Sequence, residues 1–209
     1  MKLKPLIIFT GPDGAGKTRL SRAIGLLLTK KGIRVKYARI RGTHTFAYFL
    51  GYIFLKRIMK IQGFNLHYLE VRIPRKLVKL WVYLEHFSVI PLIIYCYIAR
   101  LRSAVIMERS ILDFIVWNLT GYDVKSSSLI KIKAFRLSLL LTLKFKPIYV
   151  TAGIDTLRER RVWERELIEK TFYCYEILSK ALQLPRIDTT QKTLRQSLQE
   201  VLKLLDLKI

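Results

Sequence analysis

The segment Gly11-Pro-Asp-Gly-Ala-Gly-Lys-Thr18 restricts the possible folds of this chain more than any other feature of its sequence. Its first glycine and its final Gly-Lys-Thr have the spacing of the loop that holds the phosphates of a nucleoside triphosphate. A short apolar run, Pro5–Thr10, precedes the loop, and leucine and isoleucine residues at helical spacing follow it as far as Lys31. The pattern therefore predicts a buried strand, a phosphate-binding loop and a helix, which is the context that such a loop requires.

Each fixed position of this loop has a chemical role. Glycines let backbone N–H groups converge on phosphate oxygens, and the helix that begins at Gly16 adds its positive N-terminal dipole. Lys17 is predicted to reach the β and γ phosphates, and the Thr18 hydroxyl to bind Mg²⁺. The sequence therefore predicts ATP and Mg²⁺ as cofactors. The predicted binding residues in the loop are Gly11, Asp13, Gly14, Ala15, Gly16, Lys17 and Thr18.

The rest of the chain alternates between short apolar runs and longer helical patterns. This alternation, with continuously apolar strands, indicates a parallel sheet covered by helices on both faces. We therefore predict one α/β domain over residues 1–209, a P-loop three-layer sandwich with a five-stranded parallel sheet. The predicted strands are Pro5–Thr10, Ile33–Arg41, Ala104–Met107, Pro147–Thr151 and Pro185–Asp188. The predicted helices are Gly16–Lys31, Thr43–Lys60, Pro74–Arg102, Ser110–Leu119, Ser126–Lys144, Asp155–Leu182 and Thr190–Leu205.

The cysteines and the apolar segments indicate the cellular compartment of the protein and its relation to membranes. Cys96 and Cys174 cannot form a disulfide framework and show no metal-ligand spacing, so we expect a reducing, cytoplasmic setting. The N-terminal apolar run leads directly into Gly11, which is not the pattern of a signal peptide. The longest apolar stretch, Val89–Ala99, is too short to span a bilayer, and its Pro91 suits the start of a helix.

The net charge of +23 raises the alternative of a polyanion partner, such as nucleic acid or an anionic membrane surface. The lysines and arginines are spread along the whole chain, however, and form no basic block interleaved with aromatic residues. We therefore expect no nucleic-acid partner. Most of the charge is interpreted as a solvated surface, with phosphate-rich ligands using part of it.

Several charged side chains lie where predicted strands end. Ligands of open parallel sheets bind at the carboxyl ends of the strands, where Arg39, Arg41, Glu108 and Arg109 fall. Each could instead be a solvated charge or a local ion pair, and Asp13 could simply form a Pro-Asp-Gly turn. We favour binding roles, because phosphoryl transfer needs positioning and positive charge more than covalent chemistry.

Taken in order, these motifs resemble those of the thymidylate kinases and related nucleoside monophosphate kinases. The loop, with an acidic residue inside it, is similar to the phosphate-binding loop of that family. Val105–Ser110 resembles the family's strand followed by Asp-Arg-Tyr, with Glu in place of Asp and Ser in place of Tyr. Lys146–Val150 followed by Leu157–Arg161 resembles the strand and arginine-rich lid, in this chain about residues 153–166. Arg186–Thr190 resembles the late strand whose following loop lies beside the adenine.

The resemblance implies transfer of the γ-phosphoryl group of ATP to a nucleoside monophosphate, with dTMP to dTDP as the first reaction to expect. It implies that Asp13 reaches the acceptor sugar. Arg109 is predicted to bridge the donor and acceptor phosphates, and Glu108 to orient the waters of the magnesium ion. In place of the family's Arg-Glu-Pro this chain has Arg39-Ile-Arg-Gly-Thr43. Arg41, with Arg39 second, is therefore predicted to grip the acceptor phosphate.

The charge of the transition state needs a further cation, because the loop Gly11–Thr18 carries no arginine. A lid arginine is the natural source, and the candidates in the predicted lid are Arg158, Arg160, Arg161 and Arg165. Closure of a lid also excludes water. The alternative is a solvated helix face on which these arginines alternate with glutamates. Arg158 and Arg161 are three residues apart and can share a face. The predicted catalytic residues are Lys17, Arg109, Arg158 and Arg161.

One residue that the resemblance implies is missing. Thymidylate kinases carry an arginine on the long helix that contacts the thymine base, and the corresponding position in this chain holds Phe87, beside Glu85 and His86. Two alternatives therefore stay open: a P-loop kinase of another small phosphate or hydroxyl acceptor, and a basic nucleotide-binding module without kinase activity. The resemblance also implies a homodimer, for which the apolar segment Trp81–Ile98 is a candidate.

Overall fold

The structure is a computed structural model that describes residues 3–40, 46–51, 53, 60, 73–122, 126–160 and 165–206. The strands in these residues are β1 (Leu6–Thr10), β2 (Val35–Arg39), β3 (Ala104–Glu108), β4 (Ile148–Thr151) and β5 (Arg186–Asp188). The helices are α1 (Lys17–Lys30), α2 (Phe46–Gly51), α3 (Val78–Ser88), α4 (Ile90–Ala99), α5 (Ile111–Gly121), α6 (Ser126–Ile130), α7 (Lys133–Phe145), α8 (Ile154–Arg160), α9 (Arg165–Ala181) and α10 (Leu194–Leu204). A 3₁₀ turn, Arg75–Leu77, leads into α3.

The five strands form one parallel sheet in the order β2-β3-β1-β4-β5, which confirms the predicted sheet. In the register of β1 with β3, Phe9 lies opposite Glu108, and in that of β2 with β3, Arg39 also lies opposite Glu108. The ends of the three strands are therefore level. The residues that follow them meet at one edge of the sheet.

Successive residues of β1 point to opposite faces of the sheet. Ile7 and Phe9 pack with α1 and α10, in one cluster that includes Leu20 and Ile24. Ile8 packs on the other side with residues of α4 and α5. The sheet thus has helices on both faces, as predicted for a three-layer sandwich.

Two predicted helices are divided in the structure. Pro74–Arg102 is split at Val89 into α3 and α4, and Pro91 lies in the first turn of α4, as its missing N–H favours. Ser126–Lys144 is split into α6 and α7 by Ile132, whose backbone is extended. Ile132 is buried in a core cluster, and no glycine or proline marks this break. Tertiary packing therefore sets it, which local propensity does not reveal.

The helical stretch Arg75–Ala99, 25 residues long, is long and apolar enough to cross a membrane by length and composition. The prediction that the chain has no stretch long enough to span a bilayer is based on the uninterrupted apolar run alone, Val89–Ala99, which is only part of this helical stretch. Core helices of soluble proteins meet the same criterion, so this finding by itself assigns no membrane segment.

Glu85 carries a carboxylate into the core between α3 and α5. It accepts hydrogen bonds from Trp81 Nε1 at 3.0 Å, Asn118 Nδ2 at 2.8 Å and the Tyr122 hydroxyl at 2.7 Å. Burial raises the pKa of Glu85 to about 7, against the opposing effect of these three hydrogen bonds. The ionised form of Glu85 therefore costs folding free energy at neutral pH.

Glu85→Gln is expected to flatten the pH dependence of stability. An acid whose pKa is higher in the folded state binds a proton on folding, so stability falls as pH rises from 4.5 to about 7. This difference in the pKa of Glu85 corresponds to a loss on the order of 3 kcal/mol in the free energy of unfolding of the wild type. Urea denaturation at about pH 5 and about pH 8 measures this. Parallel pH profiles for wild type and variant would contradict it.

Candidate active site

The phosphate-binding loop leaves β1 at Thr10 and enters α1 at Lys17. Gly11 has a φ of 136°, and a Cβ atom there would lie 2.0 Å from the carbonyl oxygen of Val150. Gly16, which precedes α1, has a φ of 91°. Residues that carry a side chain rarely adopt these values of φ, so the backbone geometry favours glycine at both positions.

Lys17 lies folded back onto the loop. Its buried Nζ donates to the carbonyl oxygens of Gly11 and Pro12, each at 2.7 Å, and lies 3.8 Å from the Asp13 carboxylate. Burial, and next the nearby positive charge of Arg109, lower the pKa of Lys17 to about 8. Among the described residues, the partners of the ammonium group are therefore carbonyls and one loose ion pair, and phosphate oxygens would hold its charge better.

Thr18, Ser21 and Glu108 form the group that could hold a metal ion. The Thr18 hydroxyl donates to Glu108 Oε2 at 2.9 Å, and the Ser21 hydroxyl donates to Oε1 at 2.6 Å. These hydroxyl and carboxylate oxygens are hard ligands that suit Mg²⁺, which takes few protein ligands beside phosphate and water. Within the described ranges, no cluster of three His, Cys, Asp or Glu side chains could hold a metal ion. The residues present thus fit a magnesium ion whose coordination phosphates and water complete.

Arg109 is held on three sides beside the loop. Its Nη2 donates to Asp13 Oδ1, and its Nη1 donates to Asp113 Oδ1 at 3.4 Å. Its guanidinium carbon lies 4.9 Å from the centroid of the Trp117 ring. The backbone of Arg109 has a φ of 76°, an uncommon value for a residue other than glycine. This side chain is therefore a positioned positive charge at the carboxyl end of β3.

Arg39 faces the same region from β2, with its Nε 3.8 Å from Glu108 Oε2. Arg41, the residue predicted to grip the acceptor phosphate, lies outside the described residues. Arg161, one of the two predicted lid arginines, lies outside them as well.

The structure brings Arg160 onto the loop. Arg160 Nη1 donates to the carbonyl oxygen of Gly14 at 3.0 Å and lies 3.5 Å from the Thr189 hydroxyl. Arg158 instead pairs with Asp155 at 2.9 Å and Glu169 at 2.7 Å. Residues two apart on a helix point in nearly opposite directions, so the two arginines serve different surroundings. The catalytic role of Arg158 stays a prediction.

Thr189 and Thr190, which follow β5, contact the phosphate-binding loop and the chain just before α8. The Thr189 hydroxyl lies 3.1 Å from the carbonyl oxygens of both Ala15 and Thr151. The Thr190 hydroxyl accepts from the backbone N–H of Gly153 at 2.7 Å, just before α8. In the sequence, the family resemblance and the position of Asp188 at the end of a predicted strand place this segment near a ligand, but no motif points to Thr189 itself.

A cavity of about 210 Å³ lies beside the loop at the carboxyl edge of the sheet. Its lining residues are Asp13, Gly14, Gly16, Lys17, Thr18, Arg19, Arg39, Glu108 and Arg109. A second cavity of about 450 Å³ shares Thr18, Arg39 and Glu108 with the first and extends between α1 and β2. The predicted loop residues and Arg109 are thus brought together, and the arrangement can hold polyphosphate oxygens beside a divalent cation.

The overall fold is that of the thymidylate kinases. Thymidylate kinase from Candida albicans superposes with a TM-score of 0.60 over 98% of this chain and 92% of its own, at 13% sequence identity. Thymidylate kinase from Ehrlichia chaffeensis superposes with a TM-score of 0.57 over 98% of this chain and 100% of its own, at 17% identity. Neither a family sequence model nor a curated protein sequence matches this chain.

Binding of ATP is expected to draw a proton onto Lys17. Phosphate oxygens favour its ammonium form, and the pKa of about 8 leaves part of Lys17 neutral in the free protein above that pH. ATP affinity should therefore fall as pH rises beyond 8. Calorimetry of MgATP binding near pH 8.5, in two buffers of different ionisation enthalpy, measures the proton uptake.

The control is Lys17→Arg, which keeps the positive charge but does not titrate in this range. It should bind MgATP without this proton uptake. The same heat of binding in both buffers for the wild type would contradict the interpretation.

Proposed function

We propose that this chain, whose fold is that of the thymidylate kinases, is a nucleoside monophosphate kinase. It would transfer the γ-phosphoryl group of ATP to a nucleoside monophosphate, and dTMP is the first acceptor to test. One observation carries the proposal: Lys17, Thr18, Glu108 and Arg109 converge on one cavity at the carboxyl edge of a parallel sheet. Phosphoryl transfer depends on positioned positive charge, and this convergence supplies it.

The loop would bind the donor. Backbone N–H groups between Gly11 and Thr18, with the start of α1, favour the β and γ phosphates. Lys17 would exchange its carbonyl partners for phosphate oxygens. Thr18 and Glu108 would hold Mg²⁺, which supplies neutralisation of phosphate charge when bound.

The acceptor would lie on the side of Arg109 and β2. Arg109 is adjacent to the loop and can reach both a donor and an acceptor phosphate, which supports the bridging role predicted for it. Arg39 lines both cavities and offers a second cation for the acceptor phosphate. Asp13, which accepts from Arg109, can fix that guanidinium or exchange it for a sugar hydroxyl. Arg41 keeps its predicted role at the acceptor phosphate.

Arg160 would supply the transition-state charge that the loop lacks. Its guanidinium already touches the Gly14 carbonyl on the loop. A fixed cation beside the transferring group acts where negative charge develops, and it needs no reorganisation during reaction.

The base of the acceptor is open to an alternative, a nucleoside monophosphate other than dTMP. Helix α3 (Val78–Ser88) carries no arginine, and its Glu85 is committed to partners in the core. Phe87, at the position expected for the base-contacting arginine, is exposed. This favours testing acceptors other than dTMP, and broad substrate specificity is described for the Candida albicans enzyme.

The deciding experiment is a coupled assay of ADP release with purified protein and a panel of nucleoside monophosphates. Acceleration of ATP turnover by one of them supports the kinase, and the preferred one identifies the base. ATP binding without acceleration by any monophosphate would reject the kinase. Retention on random DNA at physiological salt, strengthened by ATP, would then favour a basic nucleotide-binding module.

Arg160→Ala is expected to lower kcat on the order of 10²-fold, since it removes a charge-stabilising group at the transferring phosphate. Arg158→Ala is the matched control, because Arg158 lies on the same helix but pairs with Asp155 and Glu169. It should change kcat much less. The reverse order of the two effects would return the catalytic role to Arg158, and kcat at saturating ATP and acceptor decides between them.

We also propose that the protein is a homodimer in the cytoplasm. Ile94 and Ile98 are 53% and 61% exposed on α4, within the segment predicted to serve as an interface. A second copy packed there would remove this apolar surface from water. Cys96 and Cys174 are free thiols, as a reducing compartment favours.

A further inference from the structure

Asp113 is a completely buried carboxylate that has no part in the proposed reaction so far. It lies in the first turn of α5, where its Oδ2 accepts from the Ser110 backbone N–H at 2.6 Å and from the Thr10 hydroxyl at 2.8 Å. Its Oδ1 accepts from the Tyr175 hydroxyl at 2.8 Å and faces Arg109 Nη1 at 3.4 Å. One carboxylate thus connects the end of β1, the start of α5, Arg109 and helix α9.

Capping of α5 accounts for only part of these contacts. Ser110 and Asp113 form a capping box, which needs no more than those two residues. A capping carboxylate is ordinarily left partly solvated at a helix end, where it costs little. Complete burial is tolerable only with an opposite charge and several donors nearby, and Arg109 provides that charge.

Tyr175 is the partner of Asp113 that comes from α9. It lies in α9, the helix that follows the lid segment, and its ring is fully buried against Tyr149 with the ring centroids 6.1 Å apart. Burial and the charge of Asp113 raise the pKa of Tyr175 far above its usual value. Its hydroxyl therefore stays protonated and remains a donor to Asp113.

We propose that Asp113 and Tyr175 are positioning residues that fix Arg109 from the side of α9. The bridging role of Arg109 itself rests on the proposed function. Oδ1 of Asp113 is shared between Tyr175 and Arg109, while Asp13 draws the other edge of the guanidinium toward the loop. When Tyr175 donates, Oδ1 is partly satisfied and the guanidinium stays extended toward the loop. Loss of that donor tightens the pair with Asp113 and withdraws Arg109 from the phosphates.

This arrangement ties the place of Arg109 to the position of α9. A shift of α9 along its own axis moves the Tyr175 hydroxyl relative to Oδ1, and the balance between Asp113 and Asp13 changes with it. The helix after the lid is thereby coupled to the residue that is proposed to bridge the phosphates.

The test is Tyr175→Phe, which keeps the buried ring and removes only the hydroxyl. Tyr149→Phe is the matched control, since Tyr149 is stacked on the same ring but its hydroxyl donates to Glu176 at 2.8 Å and lies 3.1 Å from the Thr151 hydroxyl. Calorimetry of MgATP binding to the full chain is the readout. We expect Tyr175→Phe to weaken binding roughly 3- to 10-fold, the range for the net contribution of a typical hydrogen bond, and Tyr149→Phe to leave it unchanged.

A double-mutant cycle with Arg109→Ala separates positioning from general damage to the fold. In the Arg109→Ala background, Tyr175→Phe should cause no further loss of MgATP affinity. Equal weakening by Tyr175→Phe and Tyr149→Phe, or the same loss with and without Arg109, would overturn the proposal. MgATP binding needs no acceptor, so coupling seen in a protein that phosphorylates no monophosphate would reject the kinase while the positioning role stands.

Discussion

The parallel pairing of β1 with β3 is the constraint on which the rest of the site depends. It places Phe9 opposite Glu108, so the loop after β1 and the residues after β3 leave the sheet at the same height. The contact of Thr18 with Glu108 and that of Arg109 with Asp13 both follow from this register. A slip of one residue would turn the inward side chains of the strand to the opposite face and separate these groups.

Carboxylates and backbone carbonyls hold the positive charges of the site in place. Asp13 and Asp113 share the guanidinium of Arg109, and two backbone carbonyls hold the ammonium group of Lys17. Each of these contacts is weaker than the one that a phosphate could offer, because the carboxylates are shared and the carbonyls are neutral. The positive charges are thus kept in place by partners that a polyphosphate can displace.

The sequence predicts those parts of the structure that depend on local pattern. The loop and the five parallel strands follow from spacing and residue type, and the structure contains them. The division at Ile132 and the approach of Arg160 to the loop depend on tertiary packing, which no local pattern encodes. Asp113 could have been noticed as the third residue after the Ser110 cap, but its bond to Tyr175 joins residues 62 positions apart.

The carboxylate of Glu85 has a consequence for the orientation of α3. Apolar contacts have no preferred direction, so by themselves they define the rotation of a helix such as α3 less sharply than hydrogen bonds do. Hydrogen bonds have directions, and two donors from outside α3, Asn118 and Tyr122, converge on Glu85. Trp81 lies on α3 and turns with it, so Asn118 and Tyr122 are the two donors that fix the rotation of α3. The same carboxylate whose burial lowers stability at neutral pH thereby decides which side chains of α3 face outward and which face the core.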